Sequence, residues 1–90
     1  MTAVSREVLI SNKRGLHARA SAKFVGLASE IDAKIEVEKD GNRVCGTSIM
    51  GLMMLAAGPG SRLRVRAAGE DAAQALGEIE ALLKRKFDED

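Results

Sequence analysis

Apolar residues repeat with two different periods along this chain, and the changes of period divide it into strands and helices. From Arg62 to Ala67 every second residue is apolar and the residues between them are arginines. A period of two places alternate side chains on opposite faces of a sheet, which predicts a strand with one buried face. From Ala20 to Ile31 the apolar spacing is instead three or four residues, which predicts a helix from about Ala18 to Ser29.

The same reasoning gives the element order strand, helix, strand, strand, helix, strand, helix. The other strands are predicted from residue 4 to 10, from 33 to 38 and, after the Asp40-Gly41 turn, through Val44. One further helix is predicted to begin after Thr47-Ser48, and another to run from 72 to 83. This order predicts one α+β domain over residues 1–90. We expect an open-faced β-sandwich, in which three helices lie on one face of a four-stranded, mostly antiparallel sheet.

The composition excludes several classes of function. Fourteen basic and thirteen acidic residues leave a net charge of +1, and aromatic residues make up only 2% of the chain. Such a chain is unsuited to binding nucleic acid, because it has neither a strong positive field nor aromatic side chains for stacking. One histidine and one cysteine cannot form a zinc site, so we expect neither metal nor cofactor.

Cysteine usage and hydropathy indicate the compartment. Cys45 has no partner within the chain for a disulfide, and we expect it to be a small buried apolar residue. The longest nearly apolar run, Ile49 to Ala57, is shorter than the roughly 20 residues that cross a bilayer. We therefore expect a cytoplasmic monomer with no membrane segment.

Charged residues line the solvent side of two predicted strands. Arg62, Arg64 and Arg66 form a basic row, and Glu36 and Glu38 form an acidic one. If these strands are neighbours, the two rows neutralise each other at roughly 0.2–1 kcal/mol per pair.

The segment most suited to chemistry surrounds His17, which lies between Gly15 and the predicted start of the first helix. Free backbone N–H groups and the helix dipole make such a helix start suitable for holding an anion. A neutral imidazole there is a suitable nucleophile toward phosphorus, and Arg19 can reach the same anion. On this spacing alone, two interpretations stay open: a phosphoryl acceptor, or an ordinary capping or surface histidine.

Two separate segments resemble the phosphocarrier protein HPr family. The run Gly15–Val25 is similar to the active-site signature of that family, and Ser48–Leu55 is similar to its regulatory-serine segment. Chain length and element order also match, so the resemblance covers essentially all 90 residues. The loop Ser11–Gly15 and the tail Phe87–Asp90 look like the nitrogen-related branch of the family.

The resemblance implies a function in the phosphoenolpyruvate-dependent phosphotransferase system. Phosphate would arrive through Enzyme I, bind Nδ1 of His17 and pass to a IIA-type domain. Arg19 matches the arginine that attends the phosphohistidine, and the chain would be a stoichiometric carrier, not an enzyme. Two positions depart from the pattern: Ala20 replaces the usual proline, which restores an N–H, and Arg14 adds positive charge before the glycine.

The second segment has a regulatory and a docking interpretation. Ser48 is predicted to cap the helix that follows it. It also matches the serine that HPr kinase phosphorylates in many bacteria, and both roles can hold together. The helix carries more apolar residues than one buried stripe needs, so we expect Met50 and Met53 to be exposed and to dock partner proteins.

Two other classes of function stay open at this point. The first is a small acylphosphatase-like enzyme, which would turn over an acyl phosphate without Enzyme I. The second is a regulatory protein-binding module without phosphotransfer. The sequence does not separate an output in sugar uptake from one in nitrogen or potassium regulation.

Overall fold

The computed structural model describes residues 3–89 and contains the predicted sequence of elements. The strands are β1 (Ala3–Leu9), β2 (Lys34–Lys39), β3 (Asn42–Cys45) and β4 (Arg62–Ala68). The helices are α1 (Ala18–Glu30), α2 (Ile49–Met54) and α3 (Ala72–Lys84), and α3 is followed by a 3₁₀ turn at Lys86–Asp88. The predicted α+β class and element order are thus confirmed, and α1 and α3 each extend one residue beyond the expected end.

The four strands form one sheet in the order β1-β4-β2-β3, and every neighbouring pair is antiparallel. Alternation decides which face is covered: Leu63, Val65 and Ala67 of β4 are fully buried, whereas the arginines between them are exposed. The helices pack on the buried face through an almost entirely aliphatic core, to which Phe24 and Phe87 contribute the aromatic rings. The other face of the sheet remains open to solvent.

The open face carries the predicted rows of opposite charge. In the register of β2 and β4, Glu36 lies opposite Arg66 and Glu38 opposite Arg64, so the rows are neighbours. Glu38 also forms an ion pair with Arg43 of β3 at 3.8 Å. Because acidic and basic residues alternate across the strands, this face is not a continuous basic surface.

The expectation that Cys45 is buried was wrong. Cys45 lies opposite Glu36 in the β2–β3 register and therefore points to the open face, where it is exposed. Its Sγ lies 3.1 Å from Oγ1 of Thr47, and this hydrogen bond lowers the pKa of the thiol. Residue type favours burial of a free cysteine, but strand parity decided the outcome here.

Candidate functional site

His17 occupies the N-cap position of α1, as its place in the sequence predicted. Its backbone is extended, and its Nδ1 accepts a hydrogen bond from the backbone N–H of Arg19 at 3.3 Å. The side chain keeps 19% of its surface exposed, so the ring is neither buried nor free in solvent. One ring nitrogen therefore faces the positive end of the helix, where an anion would be stabilised.

The loop before the helix is fixed by backbone contacts with the segment that follows α2. Leu16 donates its N–H to the carbonyl of Ala57 at 2.8 Å. Gly15 has φ +65°, and a Cβ on this residue would lie only 2.3 Å from the same carbonyl oxygen. Only glycine fits this position, because both the left-handed backbone and the close approach exclude a side chain. These contacts hold His17 close to the C-terminal end of α2.

Glu89 contacts the other ring nitrogen, a feature that the sequence analysis did not predict. Nε2 of His17 lies 2.8 and 2.9 Å from the two carboxylate oxygens of Glu89. An ionised carboxylate only accepts hydrogen bonds, so Nε2 carries the proton in this contact. In a neutral ring, Nδ1 then keeps its lone pair, which agrees with the bond it accepts from Arg19.

Asn12 is buried and connects Glu89 to the loop. Its Nδ2 donates to Oε1 of Glu89 at 2.7 Å and to the carbonyl of Gly15 at 2.9 Å. Both partners are acceptors, which fixes the orientation of the amide and leaves its Oδ1 without a partner among the described residues. The hydrogen bond from Asn12, followed by the contact with His17, lowers the pKa of Glu89, so this carboxyl is ionised at neutral pH.

The chain reaches His17 through the short turn after α3. Lys86, Phe87 and Asp88 all have positive φ, between 55° and 60°, which costs a non-glycine residue about 1–2 kcal/mol each. Burying the Phe87 side chain completely contributes about 1.5–3 kcal/mol in return. Lys23 adds a hydrogen bond from Nζ to the carbonyl of Phe87 at 2.8 Å. The only sequence sign of this arrangement is one aromatic residue within a charged tail.

Arg19 is brought to the site, but its guanidinium has no hydrogen-bond or ion-pair partner among residues 3–89. The side chain is exposed and belongs to the first turn of α1, beside Nδ1 of His17. Ala20, the buried third residue of this helix, precedes the first helical hydrogen bond, from Ser21 N–H to the carbonyl of His17 at 2.9 Å. The N–H of Ala20 is therefore one of the amides at this helix start that lack a helical partner.

Ser48 caps α2 as predicted. Its Oγ accepts the N–H of Gly51 at 3.0 Å, and the residue is half-buried. A cap of this kind stabilises a helix by about 1 kcal/mol.

Helix α2 presents an apolar surface to solvent. Met50 is 71% exposed and Met53 is 41% exposed, as the surplus of apolar residues indicated, while Leu52 is fully buried. Ile49 and Met54 are exposed as well, at 40% and 79%, which the sequence analysis did not anticipate. This six-residue helix buries Leu52 against the core, and it is too short to bury most of its other side chains.

Residues 3–89 contain no cluster of three histidine, cysteine, aspartate or glutamate side chains that could hold a metal ion. None of the helices within that range combines the length and the hydropathy that a membrane span requires.

Comparison with known proteins places these features in one family. A family model described as the PTS HPr component phosphorylation site matches residues 4–85. The phosphocarrier protein NPr of Shewanella violacea is 45% identical over 89 residues, which cover 99% of this chain and 98% of that protein.

Solved structures agree with the fold. A crystal structure of a phosphocarrier protein HPr from Bacillus anthracis superposes with a TM-score of 0.86 at 43% identity, covering 90% of this chain and 96% of the other. The catabolite repression protein Crh of Bacillus subtilis, described as a swapped dimer, has a TM-score of 0.75 at 38% identity and covers 92% and 95% of the two chains.

Proposed function

This chain belongs to the HPr family of phosphocarrier proteins of the phosphotransferase system, and on that premise we propose that His17 is its phosphoryl acceptor. The observation that carries this proposal is the orientation of the imidazole. Nδ1 faces the first turn of α1 with its lone pair, while Nε2 is engaged by Glu89. The nucleophile and the groups that stabilise an incoming anion therefore meet at one atom.

The transfer requires one bond to form and one to break. The lone pair of Nδ1 attacks phosphorus, and the bond from phosphorus to the donor's leaving atom breaks with its electron pair remaining on that atom. The proton on Nε2 stays in place, so the ring gains the positive charge. In the proposed route the phosphoryl group originates in phosphoenolpyruvate, arrives through Enzyme I and leaves to a IIA-type domain by the reverse step.

A carrier has to release the group that it accepts. Each 1.4 kcal/mol or so of excess stabilisation would cost about tenfold in the onward equilibrium. A helix start contributes only about 0.3–1 kcal/mol, and Arg19 adds one charged group. This modest set of interactions fits a stoichiometric carrier that is a substrate of other enzymes.

Mapping the phosphate tests the proposal directly. The protein would be incubated with Enzyme I and phosphoenolpyruvate and then mapped by mass spectrometry at neutral and acidic pH. We expect one acid-labile phosphate on His17. A phosphate on another residue, or none under conditions that label an authentic HPr, would overturn the assignment.

Ser48 is proposed as a regulatory phosphorylation site, acting beside its role as a cap. A phosphate adds about −1.5 to −2 charges, which the N-terminus of α2 tolerates but which repel an acidic partner surface or a phosphate on His17. We expect HPr kinase and ATP to label Ser48, and the labelled protein to accept phosphate at His17 more slowly. Ser61, an equally half-buried serine outside the helix caps, serves as the control position and should remain unlabelled. An unmodified Ser48 after treatment would refute this role.

Met50 and Met53 are proposed as docking residues for Enzyme I and IIA-type domains. Exposed methionines suit a surface that binds several partners, because their side chains are flexible and polarisable. The loop that carries His17 is bonded to the segment after α2, so a partner covering these methionines would also reach the imidazole. We expect their methyl NMR signals to shift on addition of Enzyme I, while those of buried Leu63 in the sheet stay unchanged. Unshifted Met50 and Met53 signals in a complex that forms would contradict this surface.

The proposal extends to the oligomeric state and the compartment of the chain. Residues 1–90 would act as one folded unit and as a monomer that binds its partners briefly, although Crh is described as a swapped dimer. The exposed, free thiol of Cys45 is compatible with the reducing cytoplasm.

A further inference from the structure

The C-terminal strap, defined here as residues 85–89, places a carboxylate on the ring of His17 from the far end of the chain. We propose that Glu89 is a positioning residue for phosphoryl transfer, holding the imidazole with its proton on Nε2 and its lone pair on Nδ1. This inference rests on the proposed function of His17 and adds a group to the same site.

The contact is specific in its geometry. Both carboxylate oxygens of Glu89 lie within 2.9 Å of Nε2, whereas Nδ1 accepts the backbone N–H of Arg19 at 3.3 Å. A neutral imidazole can carry its proton on either nitrogen, and only the form with a free Nδ1 can attack phosphorus there. A carboxylate on Nε2 selects that form and also fixes the plane of the ring.

Glu89 is itself held in place. Buried Asn12 donates to its Oε1 at 2.7 Å and to the loop carbonyl of Gly15 at 2.9 Å, so the carboxylate and the active loop share one amide. The ring and its partner therefore move together, as a group that positions a nucleophile must.

The backbone of the strap adopts an unusual conformation that supports this contact. Three consecutive non-glycine residues adopt left-handed conformations, which persist only where the surrounding structure enforces them. Full burial of Phe87 and the hydrogen bond from Lys23 to its carbonyl provide that enforcement. The carboxylate of Glu89 therefore lies against His17, the one histidine of the chain.

The negative charge of Glu89 also complements the positive charge that develops on the imidazole during transfer. When Nδ1 bonds to phosphorus, the imidazole keeps its Nε2 proton and becomes cationic. An anionic acceptor at that proton stabilises the cation and remains unprotonated itself, as a carboxylate does behind a catalytic histidine. Glu89 thus favours acceptance of the phosphoryl group without touching it.

The test is Glu89→Gln, followed by two readouts. Imidazole ¹⁵N shifts at about pH 9, well above the ordinary imidazole pKa of about 6.5, report the tautomer. We expect wild-type protein to hold its proton on Nε2 and the variant to show a mixture of both forms. Phosphorylation by Enzyme I and phosphoenolpyruvate should slow by about tenfold, because the variant loses the charge that stabilises the cationic ring.

Asp88→Asn is the matched control, because it removes one negative charge from the adjacent residue. Asp88 pairs with Arg85 at 3.0 Å and lies 3.9 Å from Lys23. The Asp88→Asn variant should leave the tautomer of His17 unchanged and its phosphorylation rate within about twofold of wild type. Glu89→Asp retains the charge on a shorter side chain and should fall between wild type and Glu89→Gln in both readouts.

The outcomes separate this inference from the proposed function. Wild-type protein with its proton on Nδ1, or a Glu89→Gln variant with wild-type tautomer and rate, would overturn the role of Glu89 while His17 could still be the acceptor. Absence of phosphate on His17 in wild-type protein would overturn the proposed function. The tautomer measurement needs no phosphoryl donor, and Glu89→Asp supplies the comparison with wild type if Glu89→Gln fails to fold.

Discussion

Replacing His17 with alanine is expected to abolish labelling by Enzyme I and phosphoenolpyruvate. The lone pair on Nδ1 of His17 faces the first turn of α1, whereas the hydroxyl of Ser21 in that turn is buried and donates to the carbonyl of Leu16. Alanine has no atom that could bond to phosphorus, so the expected result is a complete loss of acid-labile phosphate. The measurement is intact-mass analysis of the reaction at several times, with wild-type protein beside it.

A second variant separates chemistry from stability. His17→Ala also removes the cap of α1, which should lower the free energy of unfolding by about 1 kcal/mol. His17→Asn restores a capping side chain but supplies no imidazole, so it should be as stable as wild type and equally unlabelled. If either variant still acquired an acid-labile phosphate, His17 could not be the acceptor.

Replacing Arg19 with alanine is expected to slow phosphorylation by about tenfold while leaving the fold intact. A charge-assisted hydrogen bond contributes about 1.5–3 kcal/mol, and the exposed position of Arg19 favours the lower end of that range. Because its guanidinium has no other partner among the described residues, it is available to an incoming phosphoryl group. Initial rates at saturating phosphoenolpyruvate and circular dichroism of both proteins are the measurements.

Arg64→Ala is the appropriate control for this loss of charge. Arg64 lies on the open face of the sheet, opposite the side covered by the helices, and the substitution changes the net charge by the same amount. Its rate should match that of wild type, and the difference between the two variants should shrink at high salt, where an exposed charge is screened. An Arg19→Ala variant as fast as the Arg64→Ala control would remove Arg19 from the site.

Local patterns in the sequence predicted most of the fold because each depends on neighbouring residues. Alternation in β4 identified its buried face, and the position of Ser48 identified the start of α2. The error at Cys45 arose because residue type was followed where strand parity should have been. Successive residues of a strand point to opposite faces, so Val44 packing against the core places its neighbour Cys45 on the open face.

For the site itself, the sequence determined the helix start, the glycine before it and the histidine that caps it, since these lie within a few residues of one another. Only the tertiary structure brought Glu89 to Nε2 of His17, across 72 positions of the chain. That contact depends on burial of Phe87, on a left-handed turn and on an amide from Asn12, none of which has a periodic signature. A short-range motif can therefore predict a candidate nucleophile, whereas the side chain that contacts its second ring nitrogen is decided by packing between distant parts of the chain.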